Sequence, residues 1–561
     1  MSLYCTFNVT FPSKESIQKI YSTLLQTHLR DFADDIQSTV DAITQATLQL
    51  YYTCLEKLPR TPLKFHYIFN LRDLSRVYEG LYLATVDKFK TKASFIRLWR
   101  NECHRVFGDR LINGTDVGLV QDEIIPGLIR QHFKDTEEEA LTMPLFFGDF
   151  ALSEPGDESE DPRLYENLSG DKVKEKLDFF LSEYNDENKA MDLVLFIDAL
   201  EHLTRIHRVI RFPKGSALLV GYGGSGKQSL TRLATYVSGM SIFRLNLTRT
   251  YGTDDLKEDL RQLYKVVVKQ PKVFMFTDAD VADEGFLELI NNILTIGMVP
   301  SLFPEEEKDG LCSPLDAEIR RKKLPETKDF RWGYFVNRAR ENIHICLCMS
   351  PAGDSLRIRC RSFPGLVSNT SIDWFFPWPE DALNAVASHF LQNVTLDDEM
   401  LPKVTDHIVM IHLSVQKYSA DFEQVYKRKN YSTPKNYLDF INNYMKFLTD
   451  KRKNIDSSVT RLEGGLATLA KATDDTAVLQ EELAVQDADI AEKKAVVEEM
   501  IKNIQEKSAI AGKQEKEAQE KKAFLEVQNK EIAEKKAEAD EQLAIAEPII
   551  AKAQEALNDI K

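Results

Sequence analysis

The chain has 561 residues, of which 43% are hydrophobic and 29% are charged, and its formal net charge is −16. This composition is typical of a soluble, folded protein with about three or four domains, and the negative charge argues against a general nucleic-acid-binding surface. The seven cysteines form no C-x-x-C pair, and the sequence contains no run of about 18 apolar residues. We therefore predict no zinc site, no membrane contact, and a cytosolic or cytoskeletal location.

The first 115 residues are predicted to be mainly helical. Residues 4–11 alternate like a half-buried strand, and a helix is predicted to follow from Pro12, with five apolar residues on one face. These residues are Ile17, Ile20, Tyr21, Leu24 and Leu25. Arg72 lies at the start of a second helix, and residues 98–107 are predicted to end a third. An all-helical region of this size fits the small subdomain of an ATPase whose own phosphate loop lies upstream.

Residues 116–213 are predicted to lead into the next folded unit. Residues 153–161 are acidic and are predicted to form a solvated loop. Residues 191–210 show the spacing of an amphipathic helix.

Residues 218–229 have the pattern of a phosphate-binding loop. An apolar strand runs into a glycine-rich turn that ends in Gly-Lys, and a helix with one apolar face follows. The predicted binding residues are Gly221, Gly223, Gly224, Ser225, Gly226, Lys227, Gln228 and Ser229. Glycines let backbone N–H groups surround phosphate oxygens, the helix N-terminus adds positive charge, and Lys227 is expected to reach the β- and γ-phosphates. The alternative is a glycine-rich turn without a ligand.

One position departs from this motif. The residue after the lysine is usually Ser or Thr, whose hydroxyl binds Mg²⁺. Here it is Gln228, and the hydroxyl comes one residue later, at Ser229. Phosphate binding is expected to survive this change, whereas metal placement and hydrolysis are affected.

Further apolar runs predict the rest of a sheet. Strands are expected at residues 242–245, 273–278 and 342–349, separated by helices, which indicates a parallel sheet with helices on both faces. Residues 300–340 are charged and contain prolines, so they are interpreted as an insertion. Residues 380–450 are predicted to form a second helical lid.

Asp278 ends its strand 51 residues after Lys227, where a nucleotide-bound metal is expected. The next residue should be a glutamate that activates water, but it is Ala279, and Asp280 and Glu284 are predicted to point elsewhere. With Gln228, this makes two departures in one catalytic apparatus. We predict a site that binds ATP or ADP and hydrolyses it slowly or not at all; the alternative is that Asp280 substitutes.

Polar residues after the last of these strands are further candidates. Ser350 is either a phosphate sensor or a strand-end cap. Arginines occur at every second position from Arg357 to Arg361. Of these, Arg359 and Arg361 are either arginine fingers that reach a neighbouring site or part of a solvated basic loop. Lys435 opens a lid helix at the position that Arg72 holds in the first helical block, and Lys435 and Asp278 are counted among the predicted nucleotide-binding residues.

From about residue 455 onward Ala, Glu, Lys and Gln dominate, which predicts one long helix on the order of 160 Å in length. One heptad seam is apolar throughout, from Val497 to Ile560, and its companion, from Lys494 to Leu557, is polar in its middle. Periodicity alone favours a homodimeric coiled coil.

Five stretches together resemble the motor domain of an axonemal (ciliary) dynein heavy chain: residues 221–230, 276–278, 290–294, 348–354 and 372–375. The resemblance covers essentially the whole chain. It implies an α/β fold, namely an AAA+ P-loop parallel sheet with a helical lid, preceded by a helical subdomain and followed by a long coiled-coil helix.

The resemblance also implies a division into modules. Residues 1–115 resemble the end of the third AAA+ module, residues 116–450 the fourth module, and residues 451–561 the ascending helix of the stalk. In this family the stalk is an intramolecular antiparallel hairpin whose sliding register signals to a microtubule-binding tip. The chain is then expected to be a fragment, a truncated product or a short isoform.

Site roles and partners follow from the same resemblance. Arg361, with Arg359, would act at the third module's site, and Arg72 would be that site's sensor. ATP or ADP, with Mg²⁺ held by Asp278 and Ser229, would have a structural or regulatory role in a minus-end-directed microtubule motor of the axoneme. The expected partners are the remaining motor ring, the descending stalk helix, microtubules through the stalk tip, and light and intermediate chains through the tail.

Three alternatives remain at this stage. The first is an active P-loop NTPase that its coiled coil oligomerises, and the second is a purely structural coiled-coil scaffold. The third is a chromosome-type ATPase, but such chains place the coiled coil between the phosphate loop and the acidic strand, and here it follows both.

Overall fold

The computed structural model describes residues 5, 7–153, 163–392, 394–397, 399–507, 525–533 and 535–537, with the backbone alone for residues 501–507. The chain divides into two units, Met1–Ile441 and Asn442–Lys561. In the described part of the chain, none of the helices is long and apolar enough to cross a membrane.

The N-terminal region is helical, as predicted. Its helices are α1 (Lys14–His28), α2 (Asp34–Gln37), α3 (Val40–Lys57), α4 (Leu71–Leu81), α5 (Lys92–Cys103), α6 (Gly114–Gly118), α7 (Ile125–His132) and α8 (Glu137–Leu141). Two π-helical turns, His104–Gly108 and Leu119–Ile124, follow α5 and α6. The Ser13 hydroxyl caps α1 by accepting a hydrogen bond from the backbone N–H of Ser16.

Two details of the N-terminal prediction are wrong. The described residues 5 and 7–11 are not in a strand, and Phe7 and Val9 are 82% and 90% exposed, because the alternating side chains have no neighbouring strand or core. On α1, Ile17, Tyr21 and Leu25 are buried, but the two other apolar residues of the predicted face are about half exposed.

A short antiparallel pair, β1 (Phe146–Gly148) and β2 (Glu166–Leu168), precedes helices α9 (Gly170–Glu187) and α10 (Ile197–Arg211). The helix predicted over residues 191–210 therefore begins six residues later than expected. The Asn185 side chain explains the difference, because it bonds both backbone groups of Met191 and holds that segment in a non-helical connection.

The central sheet has five parallel strands in the order β4-β5-β6-β3-β7. They are β3 (Ala217–Val220), β4 (Ser241–Phe243), β5 (Lys272–Thr277), β6 (Ile343–Met349) and β7 (Ser371–Trp374). The parallel sheet is confirmed. Every residue of β6 is buried, including Cys346 and Cys348, so these thiols pack in the core. Val220 pairs with Met349 and with Trp374, which brings the carboxyl ends of three strands to one edge.

The helices that connect these strands are α11 (Lys227–Val237), α12 (Thr253–Val267), α13 (Gly285–Ile296), α14 (Glu305–Cys312), α15 (Asp316–Arg321), α16 (Lys328–Asn342), α17 (Ser355–Ser362) and α18 (Gly365–Ser368). The stretch interpreted as an insertion forms α14 to α16. Phe335 and Ala339 of α16 are fully buried in the same apolar cluster as β5, so this stretch contributes to the core.

The lid consists of α19 (Glu380–Leu391), α20 (Met400–Tyr426) and the first turns of α21 (Pro434–Lys507). Tyr437 and Ile441 of α21 are fully buried, and the Tyr437 hydroxyl donates to the Leu383 carbonyl. The division between the two units falls inside α21.

The second unit is helical where it is described. At 74 residues α21 is about 110 Å long, and its residues from Asn442 to Met500 are all exposed or partly exposed. Most positions of the two predicted heptad seams lie outside the described residues, as does most of the predicted acidic loop.

Candidate nucleotide-binding site

The phosphate loop lies between β3 and α11, where the sequence places it. Gly224 and Gly226 have φ angles of +83° and +88°, which glycine adopts at no steric cost. The Lys227 ammonium donates to the carbonyl oxygens of Gly221 and Tyr222, the second at 2.8 Å. Burial lowers the pKa of Lys227 to about 8, and the nearby Cys348 thiol and Asp278 carboxylate oppose this shift.

A cavity of about 270 Å³ adjoins the loop. Gly224, Ser225, Gly226 and Ser229 form one side of it. The other sides come from the π-helical turns, from the segment before α10, from the segment after β7 and from α21, through residues such as Gln121, Val194, Trp378 and Leu438. The cavity therefore offers apolar walls beside a phosphate cradle, an arrangement that suits the base and sugar of a nucleotide.

The lid is closed on the loop. The backbone N–H of Lys435 donates to the Gly223 carbonyl at 3.1 Å, and a Cβ on Gly224 would lie only 2.3 Å from the Lys435 nitrogen. The Tyr431 ring lies 5.3 Å from that of Tyr222, and its hydroxyl accepts from the Gly353 N–H. Lys435 thus contacts the loop through its backbone, and a role of its ammonium in nucleotide binding stays a prediction.

Asp278 lies just beyond β5 and is held from two sides. One carboxylate oxygen accepts from the Ser350 N–H at 2.6 Å, and the other accepts from Arg359 Nη1 at 2.8 Å. Arg359 Nε also donates to Glu284 at 3.0 Å.

Asp280 caps the short turn that follows β5. Its carboxylate accepts from both the N–H and the hydroxyl of Thr277, each at 2.8 Å, and it is 7% exposed. This capping arrangement disfavours the alternative in which Asp280 replaces the absent glutamate.

The residues present suit a nucleotide better than they suit a metal ion. Gln228 is exposed, Ser229 lines the cavity beside the loop, and Asp278 faces Ser350 and Arg359. Both oxygens of Asp278 are thus engaged by protein donors, and the roles of Asp278 and Ser229 as ligands of Mg²⁺ stay predictions. Across the described ranges, no group of three or more His, Cys, Asp or Glu side chains could hold a metal.

Two family models match the chain. "P-loop containing dynein motor region D4" matches residues 191–447, and "AAA+ lid domain" matches residues 43–143. The chain is 48% identical, over 90% of its length, to dynein axonemal heavy chain 10 of Homo sapiens. This chain belongs to the dynein heavy-chain family. Identity is 47%, also over 90% of the chain, to the dynein-1-alpha heavy chain of the flagellar inner arm I1 complex of Chlamydomonas reinhardtii.

The match also confirms the α/β AAA+ fold with its helical lid. Because the matched model is a P-loop region of the dynein motor, it indicates that the phosphate-loop region binds a nucleotide. The chain spans 11% of the length of these two relatives. Identity is 37% over 99% of the chain to a ciliary dynein beta chain of Heliocidaris crassispina, of which it spans 12%.

The three arginines of α17 take different directions in this dynein module. Arg359 bonds Asp278 at the module's own site, Arg357 pairs with Asp354 at 2.9 Å, and Arg361 is exposed. The roles of Arg359 and Arg361 as fingers for a neighbouring site stay predictions.

Arg72 lies elsewhere, in a second cavity of about 710 Å³. Its Nη1 donates to the Ser368 carbonyl at 3.1 Å and to the Asn369 side chain at 2.8 Å.

The Ser350 hydroxyl accepts from the Ala352 N–H at 3.3 Å, which is a strand-end cap contact. The sensor roles of Arg72 and Ser350 also stay predictions.

Sequence reasoning missed a buried network beside the nucleotide cavity. His202 bonds Asp373 at 2.7 Å and stacks on Phe375 with 3.8 Å between ring centroids. Although burial alone raises the pKa of Asp373, His202 and Arg205 hold it below its ordinary value. The only sequence signal was Asp373 itself, a charged residue between Ile372 and the aromatic pair Trp374 and Phe375.

Proposed function

We propose that this chain is the fourth AAA+ module and stalk portion of an axonemal dynein heavy chain, within a minus-end-directed microtubule motor that drives ciliary or flagellar movement. The module binds ATP or ADP, and the nucleotide has a regulatory or structural role. The names of the relatives, which include axonemal, ciliary and flagellar chains, support the location in the axoneme.

One observation carries the role of the nucleotide. The phosphate loop has its glycines and Lys227, whereas Ala279 stands where a water-activating glutamate is needed. The Asp280 carboxylate is occupied by hydrogen bonds from the N–H and hydroxyl of Thr277. General acid–base catalysis contributes about 10²- to 10⁴-fold to such reactions, so losing the base leaves binding intact and slows turnover. This combination supports a nucleotide that stays bound.

The lid gives the bound nucleotide a mechanical role. Helix α21 begins at Pro434, and the next residue, Lys435, bonds the phosphate loop through its backbone. A phosphate group that reorganises the loop carbonyls would therefore act directly on the first turn of α21. We propose that the residues from 451 onward form the ascending half of an antiparallel stalk hairpin.

The proposed partners follow from this assignment. They are the rest of the motor ring, the descending stalk helix, microtubules through the stalk tip, and light and intermediate chains through the tail. We also propose that residues 1–115 complete the third module, that residues 116–450 form the fourth, and that Arg72 and Arg361 serve the third module's site. The side chain of Arg359 bonds Asp278 of the fourth module, which favours Arg361 as the finger.

Identification of the retained nucleotide tests the proposal. The full chain is purified, denatured, and the supernatant is separated by ion exchange, with a Lys227→Ala variant as the control that should retain little nucleotide. Mostly ATP in the wild type would support binding without turnover. ADP would lead to a single-turnover assay, in which rapid hydrolysis favours the active NTPase. An empty wild-type site would contradict the proposal and favour a scaffold.

A further inference from the structure

Arg359 occupies an unusual place for an arginine of this helix. Leu356 and Cys360, on the inner face of α17, are 5% and 6% exposed and fix the helix against the core. The Arg359 side chain lies beside this inner face and is only 14% exposed, whereas Arg357 is 34% exposed and pairs at the surface. Packing thus directs one of the three arginines toward the nucleotide site.

The Arg359 guanidinium bridges two carboxylates. It donates from Nη1 to Asp278 and from Nε to Glu284, at 2.8 and 3.0 Å. The other oxygen of Asp278 is bonded to the Ser350 N–H. Both oxygens of the acid that follows β5 are therefore engaged by protein donors.

This arrangement supplies the charge that a metal ion would otherwise supply. A guanidinium stays protonated at every physiological pH, is weakly hydrated, and presents five donors in a rigid plane. Two of its donors are used by the carboxylates, and within the described residues Nη2 has no protein partner. Arg359 can therefore neutralise Asp278 and still offer N–H groups to an anion.

The residue at the usual metal-binding position of the phosphate loop is consistent with Arg359 in place of a metal ion. Gln228 offers a hard cation only a neutral amide oxygen on an exposed side chain, and Ser229 lies on the cavity side of the loop. The positive groups near Asp278 are thus Lys227, whose pKa the Asp278 carboxylate raises, and Arg359.

We propose that Arg359 replaces Mg²⁺ at this site, acting as a built-in counter-ion that lets the module bind a nucleoside triphosphate without a divalent metal. Arg359 is a positioning residue here, because it holds Asp278 and supplies positive charge to the phosphate region. The inference rests on the proposed nucleotide binding and goes beyond it by specifying the metal-free form of the ligand.

The test compares nucleotide affinity with and without metal, using the full chain freed of endogenous nucleotide. A fluorescent ATP analogue is titrated in Mg²⁺ and in EDTA against wild type, Arg359→Gln and Arg357→Gln. The wild-type Kd is expected to change by less than about threefold between the two conditions. Arg359→Gln should lose about tenfold or more in EDTA, which is the effect of one charge-assisted contact, and Arg357→Gln should match wild type.

A second measurement is independent of the variants. Mn²⁺ replaces Mg²⁺, and its electron paramagnetic resonance signal reports whether the nucleotide-bound wild type immobilises the ion. No immobilised Mn²⁺ at saturating nucleotide supports the proposal. One immobilised Mn²⁺ per nucleotide, or a wild-type Kd that rises about tenfold or more in EDTA, would overturn it.

The controls separate the two proposals from each other. An absence of binding in both Mg²⁺ and EDTA would reject nucleotide binding itself, whereas binding in Mg²⁺ alone would reject only the role of Arg359. Arg359→Lys keeps the charge but loses the bridging geometry, so partial rescue is expected in EDTA. If Arg359→Gln fails to fold, the wild-type comparison still decides the question.

Discussion

Two parts of the same sheet edge differ in how closely their residues match those of a hydrolysing P-loop site. On the β3 side, the phosphate loop keeps its left-handed glycines, its lysine and its contact with the lid. On the β5 side, Ala279 replaces a catalytic residue, Asp280 caps its own turn, and Arg359 bonds Asp278. The comparison teaches that holding phosphates and hydrolysing them depend on separate residues, so one capacity can persist without the other.

The largest expected effect comes from Gly224→Ala, which disturbs the β3 side. The new Cβ would lie 2.3 Å from the Lys435 nitrogen, at a φ of +83°. We expect nucleotide affinity to fall by about 100-fold, the equivalent of roughly 3 kcal/mol, in a fluorescence titration.

A matched variant isolates the clash. Gly239→Ala, in the turn between α11 and β4, has a similar φ of +69° and only an ordinary contact of 3.7 Å to Arg163 Nη2, so it carries the backbone strain without a clash. An equal loss of affinity in both variants would contradict the importance of lid contact with the loop.

The next effect concerns the β5 side and tests whether hydrolysis can be rebuilt. Ala279 and Gln228 are both exposed, so larger or different side chains fit there. We expect Ala279→Glu alone to leave phosphate release near the wild-type rate, because the loop hydroxyl is still displaced. The double variant Ala279→Glu, Gln228→Ser should raise the rate by about 100-fold, within the range of general-base catalysis.

The control for that gain is Ala279→Gln with Gln228→Ser, which matches the size of glutamate without its basicity. A full gain in the single Ala279→Glu variant would show that the loop hydroxyl was not limiting, and it would contradict the separation of roles drawn above.

The sequence predicts those features whose residues are close along the chain. The phosphate loop, the apolar strands predicted for the central sheet and the helical blocks each have a local pattern, and the structure contains them. The strand predicted at residues 4–11 has the right alternation but no neighbour to pair with. The helix predicted from Met191 has the right spacing, yet it begins only at Ile197, because Asn185 bonds the backbone of Met191 and holds that segment in a non-helical connection.

The interactions that define the site chemistry join distant positions. Arg359 and Asp278 are 81 residues apart, and His202 and Asp373 are 171 apart. Periodicity within a window of ten or twenty residues carries no information on such pairs. The sequence could therefore name Asp278 and Arg359 as functional candidates but could not place the two together.

A pH effect of intermediate size is expected on the β3 side. Lys227 must be protonated to attract phosphate, and burial lowers its pKa to about 8 before nucleotide binds. Affinity should therefore be constant below pH 7 and fall as pH rises through 8, by about tenfold at pH 9. Titrations from pH 6.5 to 9 measure this.

The lowered pKa of Lys227 also affects the stability of the nucleotide-free chain, but there the effect of rising pH is favourable rather than unfavourable. The folded state holds fewer protons on Lys227 than the unfolded state above pH 8, so this group's contribution to unfolding free energy rises with pH there. Lys227→Arg is the control, because arginine stays charged and the affinity of the variant should not fall over this pH range.

The smallest expected effect tests whether the lid tyrosine contributes to closure. Tyr431→Phe removes the hydroxyl that accepts from the Gly353 N–H at 3.3 Å but keeps the ring beside Tyr222. A single hydrogen bond of this kind is worth about 0.5–1 kcal/mol, so nucleotide dissociation should accelerate by about threefold in a stopped-flow chase. Tyr236→Phe loses a comparable bond to Glu187 away from the loop and should leave the rate unchanged. Equal rates in all three proteins would mean that the Lys435 backbone bond alone closes the lid, and the phosphate loop would then depend on the first turn of α21 rather than on the turn before it.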